Sequence, residues 1–600
     1  MQLNWIDWVF IVGYCVVAFG VGVYFSKRAS RDMSEFFVAG RNLPWWLAGT
    51  SIVATTFAAD TPLAVSGLAR GGGIYSNWFW WNGVMGGMLC VFFYARLWRR
   101  AGVITDVEFI ELRYSGRQAS VLRGFMAVYG GVLQNCIVMG WVMLAMTKIC
   151  DVLLGWPKVT TIIVLMVITL AYTVMSGFWG VVMTDLVQFI MAMTGSIALA
   201  GIVLYNLGGP AGMVERIQAS PDFKPELFHM TPDLATAGKL ALITFIVQMA
   251  LQWWGGGQGG GYLAQRLFAT KNETHSALAA LWFNFAHYVL RPWPWLIVGL
   301  GSVVYFSNAD LFDPALAEPD FEKAYPLMIA RFLPVGLRGL MVASLLAAFM
   351  STMDTQLNWG ASYLVNDLYR RFIRRDANER HYVNVSRVAM LVLMGLGALT
   401  AWQSKTIGGA WIYLAKLTAG AGFVGLLRWY WWRVNAWSEI SALLGSLVIA
   451  NADLVAKLLD KAGLMPEVWM ERITWLYSKE AYALLFAIIV VACTAIWLVV
   501  TFITEPVQRE HLDRFYRRVR PGGWWGPMAV RCPDVAGTPA ARGWVGCVAG
   551  TVCIYAGLFG VGYLCLARIA LGLVFLAVCA VSGWLMVSQA SLGEGGTENA

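Results

Sequence analysis

Ala348, Ser351, Thr352 and Thr355 lie in the segment AAFMSTMDTQLN, Ala347 to Asn358. Their spacing of i, i+3, i+4 and i+7 places all four on one helical face. Serine and threonine hydroxyls are hard oxygen donors. A desolvated Na+ requires such donors, and carbonyls freed where a helix breaks supply the rest. The same hydroxyls can instead bond back to their own helix, and spacing alone leaves both readings open.

Asp60 is the only ionisable residue between Leu43 and Ala69, and Thr61 and Pro62 follow it directly. A carboxylate at mid-bilayer depth costs roughly 3 kcal/mol. Pro62 removes a backbone donor and disfavours helix at the residue before it. Cost and break coincide, so this stretch reads as a discontinuous helix lining a cavity. A second break is expected about two hundred residues later, at the run GGGQGGG, Gly255 to Gly261. Two interrupted segments at corresponding places in two halves point to a solute site between them. Arg291, in LRPWPW, falls at the same membrane depth as Asp60. The two are expected either to pair or to cradle a polar solute. Lys416, Thr61, Asn82 and Gln134 are further polar candidates, as are Gln252, Trp253, Gln258 and Tyr262 around the glycine run. The aromatic rings would stack on a solute or gate it, or belong to ordinary packing and an interfacial belt.

These residues need helices to hold them in a bilayer. The 600 residues are 58% hydrophobic and 13% charged, with mean hydropathy +0.61, which excludes a soluble or a disordered chain. About fifteen apolar runs approach the ~20 residues a spanning helix needs, among them 43–70, 159–176, 180–206, 239–262, 277–307, 338–366, 407–432 and 437–459. Basic residues cluster after alternate spans, as at Arg96, Arg99 and Arg100, at Arg370, Arg371, Arg374 and Arg375, and from Arg509 to Arg520. Those loops are expected on the cytoplasmic side, which puts the N-terminus outside and, with fifteen spans, the C-terminus inside a plasma membrane. The net charge of +9 is thereby a matter of topology, and no nucleic-acid partner is expected. No cleavable signal peptide is expected, since no basic n-region precedes the first apolar run. The ten cysteines form no Cys-x-x-Cys pair, and no phosphate loop is present to drive transport with ATP. No nucleophile–base spacing or metal cluster points to an enzyme.

The expected organisation is an accessory helix in 1–42 and a ten-helix core in 43–433. Accessory helices follow in 434–503, then a basic loop in 504–543, a hairpin in 544–589 and a polar tail in 590–600. Five helices per set is odd, so the second set enters from the opposite side, an inverted repeat. The segment EPVQREHLDRFYRRVRP, Glu505 to Pro521, is expected either to lie along the cytoplasmic lipid surface or to form a solvated basic loop.

The chain resembles the sodium/solute symporter family, which includes the proline and sodium/glucose transporters. The motifs that carry the resemblance are SEFFVAGRNLPWWLAGTSIVATTFAAD from Ser34, YTVMSGFWGVVMTDLVQ from Tyr172, YLAQRLFATKN from Tyr262, AAFMSTMDTQLN, and RWYWWRVNAWSE from Arg428. The resemblance implies an all-α integral membrane fold of the LeuT type, a 5+5 inverted repeat with one N-terminal and about four C-terminal extra helices. It implies Na+ as coupling ion and no organic cofactor. The main sodium site would be the carbonyls of Ala54, Phe57 and Ala348 with the hydroxyls of Ser351 and Thr352. Asp185 matches the family's acidic residue in the fifth core helix. Asp185, Asp354 and Thr355 would hold a second cation, or the two carboxylates would share a proton; separate hydrogen-bonding roles are the alternative. Tyr262 matches the inner-gate tyrosine.

The sugar carriers' Glu-Gln pair reads Asp60-Thr61 here, and their tenth-helix glutamine falls at Ala415 beside Lys416. A small polar organic solute is expected, with a lean to an organic acid or amino acid over a sugar. A proton-coupled carrier on the same fold is the competing reading. The expected partners are the solute, Na+ and the lipid bilayer, with no obligate protein partner evident.

Overall fold

A computed structural model describes residues 3–29, 41–103, 105–233, 235, 237–538 and 541–591. The motif residues 34–40, the side chains of 174–181 and the tail from 592 lie outside the described residues. Helix α1 spans Trp5–Ala29. The first broken helix follows as α2, Trp45–Thr56, and α3, Asp60–Gly72, bent by 61° at the break. The chain leaves α2 at Phe57, whose N–H still reaches the carbonyls of Val53 and Ala54 at 2.9 and 3.0 Å. It re-enters helix at Asp60, so Pro62 sits in the first turn of α3, where its missing N–H costs nothing.

A continuous run, α4, spans Gly116–Leu154. The expected spans 159–176 and 180–206 fall within a single helix, α5, Lys158–Leu207. At ~1.5 Å per residue it is long enough for two bilayer crossings. The second break is where the glycine run places it. Helix α6, Lys239–Ala250, gives way to a 3-10 turn at Gln252–Gly255, and helix resumes as α7, Tyr262–Phe268. Gly259 and Gly261 both have φ of 68°, a left-handed backbone that favours glycine.

Helix α8, Glu273–Phe285, passes through a π turn at Ala286–Leu290 into α9, Pro292–Tyr305. Helix α10 is Leu337–Ser362 and α11 is Glu379–Gln403. Two further expected spans, 407–432 and 437–459, are bent. Helix α12, Ile407–Ala419, meets α13, Gly422–Tyr430, at 44°, and α14, Ala436–Ala450, meets α15, Ala452–Lys461, at 43°. Helix α16, Tyr482–Ile503, precedes α17, Arg509–Val519. A hairpin of α18, Ala541–Cys565, and α19, Ile569–Ser591, closes the described chain. Among the described residues seven helices are long and apolar enough to cross a membrane singly, and three bent pairs are so together.

Close approach holds the breaks in place. A Cβ on Gly422 would lie 2.8 Å from the Gly255 backbone nitrogen, so the bend between α12 and α13 packs on the second break. A Cβ on Gly299 would lie 2.6 Å from the Ser66 carbonyl, which brings α9 onto α3 backbone to backbone. The apolar face of the basic segment packs on protein. Leu512, Phe515, Tyr516 and Val519 of α17 are buried in the protein. Phe515 meets Phe109 edge-on and Trp525 face-on, and the fully buried Arg113 stacks over Phe515 and Trp525. The apolar face that suited a lipid surface thus covers a short loop helix, Glu108–Arg113.

The first helix is pinned by one carboxylate. Asp7 of α1 is fully buried and accepts from Gly336 N at 2.7 Å and Gly339 N at 2.9 Å, capping the N-terminus of α10. Asp7→Ala leaves those donors unpaired and is expected to lower stability by about 1–3 kcal/mol, with Asp7→Asn intermediate. Thermal unfolding of the purified protein measures both, and an unchanged midpoint in Asp7→Ala would refute the cap.

Candidate cation and solute site

The C-terminal turn of α2 and the middle of α10 come together. Thr352 Oγ1 donates to the Thr55 carbonyl at 2.8 Å and to Ala348 O at 3.2 Å. Ala54, Phe57, Ala348, Ser351 and Thr352 are all at most 3% exposed. The hydroxyl face expected from spacing therefore meets carbonyls at a helix end, where the last turn lacks intrahelical partners.

Ser351 turns its hydroxyl to Asp185 Oδ1 at 2.5 Å, and Ser51 donates to Asp185 Oδ2 at 2.5 Å. Arg266 of α7 completes this layer. Its NH2 lies 3.9 Å from Asp185 Oδ2 and donates to Thr55 Oγ1 at 3.1 Å and Thr355 Oγ1 at 2.8 Å. Its Nε reaches Ser51 Oγ at 3.3 Å. Arg266 and Asp185 are both fully buried. Asp185 and Thr355 thus share a neighbourhood through Arg266. Asp354 accepts from Asn358 Nδ2 at 3.1 Å one turn along α10 and is also an electrostatic neighbour of Arg266.

The solute candidates separate into two groups. Asp60 and Arg291 form no ion pair among the described residues, contrary to one of the two expectations. The cause is the break itself. Arg291 NH1 finds the Val53 carbonyl at 3.2 Å and Thr56 Oγ1 at 3.1 Å, and its NH2 lies 3.4 Å from His287 Nε2. Its guanidinium also stacks over Phe57 and Trp295. Asp60 is 3% exposed, and its Oδ1 has no hydrogen-bond partner among the described residues. The Trp411 indole N–H faces the Asp60 carboxylate. Tyr262, first residue of α7, is an electrostatic neighbour of Asp60, Arg266 and Arg291.

Gln252 Nε2 donates to the Phe79 carbonyl at 2.6 Å, and the Tyr482 hydroxyl donates to its Oε1. Phe79 stacks on Trp411 with centroids 6.1 Å apart. Trp253 bonds back to Met249 O and meets Trp254 edge-on. Gly255 and Gly256 are exposed although helices flank them on both sides. Thr61 Oγ1 donates back across the first break to Thr56 O at 3.3 Å.

Other candidates are placed elsewhere. Lys416 turns away and lies over the Tyr477 ring at 5.5 Å, because at one residue past Ala415 it falls on a different face of α12. Asn82 donates to Trp78 O and Phe79 O in its own helix. Gln134 is half-buried beside Tyr129. The Gln258 side chain packs where a Cβ on Gly425 would sit.

Sequence reasoning missed His287, Ser51, Thr55, Arg266 and Trp411. His287 lies four residues before Arg291, and Ser51 four before Thr55, so the i, i+4 rule carried a signal in both cases. Trp411 had none that set it apart from the other tryptophans.

Residues 36–448 match the sodium:solute symporter family. The "Sodium/glucose cotransporter" of Vibrio parahaemolyticus is 26% identical over 521 residues, covering 82% of this chain and 91% of its own. The mouse "Sodium/glucose cotransporter 4" is 26% identical over 558 residues, covering 88% and 78%. These names lend the expected lean to an organic acid or amino acid no support. The solved structure of a Na+-coupled sialic acid symporter in an outward-open state superposes with a TM-score of 0.63 at 20% identity, covering 84% of this chain and 99% of that one. The fold is therefore the LeuT type that the motifs implied. A match over more than half the chain, on a multi-pass helical protein with two glycine- and proline-interrupted helices, makes the chain a member of the sodium:solute symporter family, whose members are transporters rather than enzymes.

Proposed function

We propose that this chain carries Na+ and a small polar organic solute together into the cell by alternating access, with the N-terminus outside and the C-terminus cytoplasmic. The observation that carries the reading is the Thr352 contact to Thr55 O. It joins α10 to the end of the first broken helix beside the carbonyls of Ala54 and Phe57. A Na+ held by those carbonyls, Ala348 O, Ser351 and Thr352 would bridge the same two elements. Ser351 gives its proton side to Asp185, which leaves its lone pairs for a cation.

Sodium acts only through unequal affinity for the outward and inward states. It would favour the state in which α2 and α10 are close, and solute would then bind between the two helix breaks. Closure follows, and loss of Na+ to the sodium-poor cytoplasm releases the solute. Arg266 already supplies a fixed positive charge among Asp185, Thr55 and Thr355. That occupancy favours one Na+ per cycle over a second cation in the expected cluster of Asp185, Asp354 and Thr355. It also favours sodium over proton coupling, because the buried carboxylate has a permanent countercharge.

Two outcomes test this. NaCl at about 100 times the dissociation constant is expected to stabilise the detergent-purified protein by about 2.7 kcal/mol over KCl, and Thr352→Ala is expected to abolish the difference. Equal unfolding midpoints in the two salts for wild type would sink the sodium reading. Arg266→Met strips Asp185 of its cation and is expected to cost about 3–5 kcal/mol, with Asp185→Asn added in the same chain restoring part of it. No rescue in the double variant would mean that Arg266 does not serve chiefly as the countercharge.

A further inference from the structure

Asp60 is a buried carboxylate without an ion-pair contact among the described residues. Its carboxylate is 3% exposed and has one oxygen without a partner among the described residues. The charged groups around it do not neutralise it by contact. Arg291 gives its two terminal nitrogens to Val53 O, Thr56 and His287, and its plane to Phe57 and Trp295. Lys416 points to Tyr477. Glu322 is itself acidic. It pairs with Lys148 at 2.6 Å and accepts from the N–H groups of Ile407 and Gly408 at the start of α12.

The wall beside Asp60 is aromatic. Trp411 faces the carboxylate and is backed by the stacked Phe79 at 6.1 Å and the edge of Trp141 at 6.4 Å. Phe79 and Trp141 are only partly buried. A carboxylate beside a cluster of aromatic rings is a combination that holds an ammonium group, the carboxylate supplying the charge and the rings a desolvated wall that attracts cations. A hydroxyl donor would satisfy the free oxygen but leave the charge uncompensated, and an anion would be repelled.

We propose that the transported solute carries a cationic nitrogen, which docks on Asp60 against the ring of Trp411. The proposal rests on the symport reading and names the chemical class of its solute. The solute's cation takes the role at the solute site that Arg266 takes at Asp185.

The test uses the full chain in proteoliposomes with an inward sodium gradient and measures influx of radioactive sodium. Ethanolamine, choline, glucose and lactate are added outside, each at the same concentration. An amine is expected to accelerate sodium influx while glucose and lactate do not. Asp60→Asn is expected to weaken the amine response by about tenfold or more. Trp411→Phe should keep most of that response and Trp411→Leu lose it. The NaCl-over-KCl stabilisation of each variant reports that it is folded. Acceleration by glucose or lactate alone overturns the proposal. So does an amine response that Asp60→Asn leaves unchanged, or no amine response from a wild type that still shows its sodium stabilisation. A wild type without that stabilisation fails the symport reading, a separate result.

Discussion

The buried contact between Arg266 and Asp185 is the constraint on which the centre of this protein depends. Neither group reaches water, and an isolated charge there would cost several kcal/mol. The pair gains less from its own attraction, at 3.9 Å, than from the hydroxyls around it. Ser51 and Thr55 come from α2, Ser351 and Thr355 from α10, Asp185 from α5 and Arg266 from α7. Four elements meet in one layer, and each must hold its register for the charges to stay satisfied. A buried ion pair is weak evidence for stability but a strong device for fixing one arrangement against its neighbours.

That layer adjoins the proposed sodium ligands through a single residue. Ser351 faces Asp185 on one side and the candidate cation site on the other, and Thr352 follows it on α10 with its hydroxyl on Thr55 O. Any movement of α2 against α10 changes both at once. In the proposed cycle coupling needs no long pathway, since the half-helix that would move is also the one that would bind the ion. The seventh helix joins in because Tyr262, its first residue, lies near Asp60, Arg266 and Arg291.

The sequence was legible where a residue type acts locally. Asp60-Thr61-Pro62 and the seven-residue glycine run located both breaks, because proline and consecutive glycines interrupt a helix whatever surrounds them. The serine and threonine face of α10 followed from spacing for the same reason. The bend between α12 and α13 was not legible, since the junction offers only Gly420 and Gly422 and is made by packing against the second break. Depth arithmetic also reached its limit. It placed Asp60 and Arg291 at like levels, but depth along an axis says nothing of direction around it. Arg291 went to the helix end and Lys416 to the outer face. The segment at 509–519 shows the same limit: an amphipathic helix announces that one face is apolar, not whether lipid or protein covers it.

The helix breaks explain why one buried carboxylate is matched and the other is not. Ending a helix inside a membrane exposes carbonyls at one end and N–H groups at the next start. Cations already in the chain take the nearest of the freed oxygens. Arg291 takes Val53 O, and Arg266 takes the hydroxyls beside Thr55 O. The N-terminus of α3 receives Asp60, whose charge suits the dipole there, but the dipole offers partial charge rather than a counter-ion. A free-standing protein would gain by filling that place with a lysine or an asparagine. A carrier cannot, because a site that is satisfied when empty has nothing to offer a solute. The incomplete charge balance at Asp60, set beside the complete one at Asp185, therefore separates the part of the centre that holds the fold from the part that changes occupant.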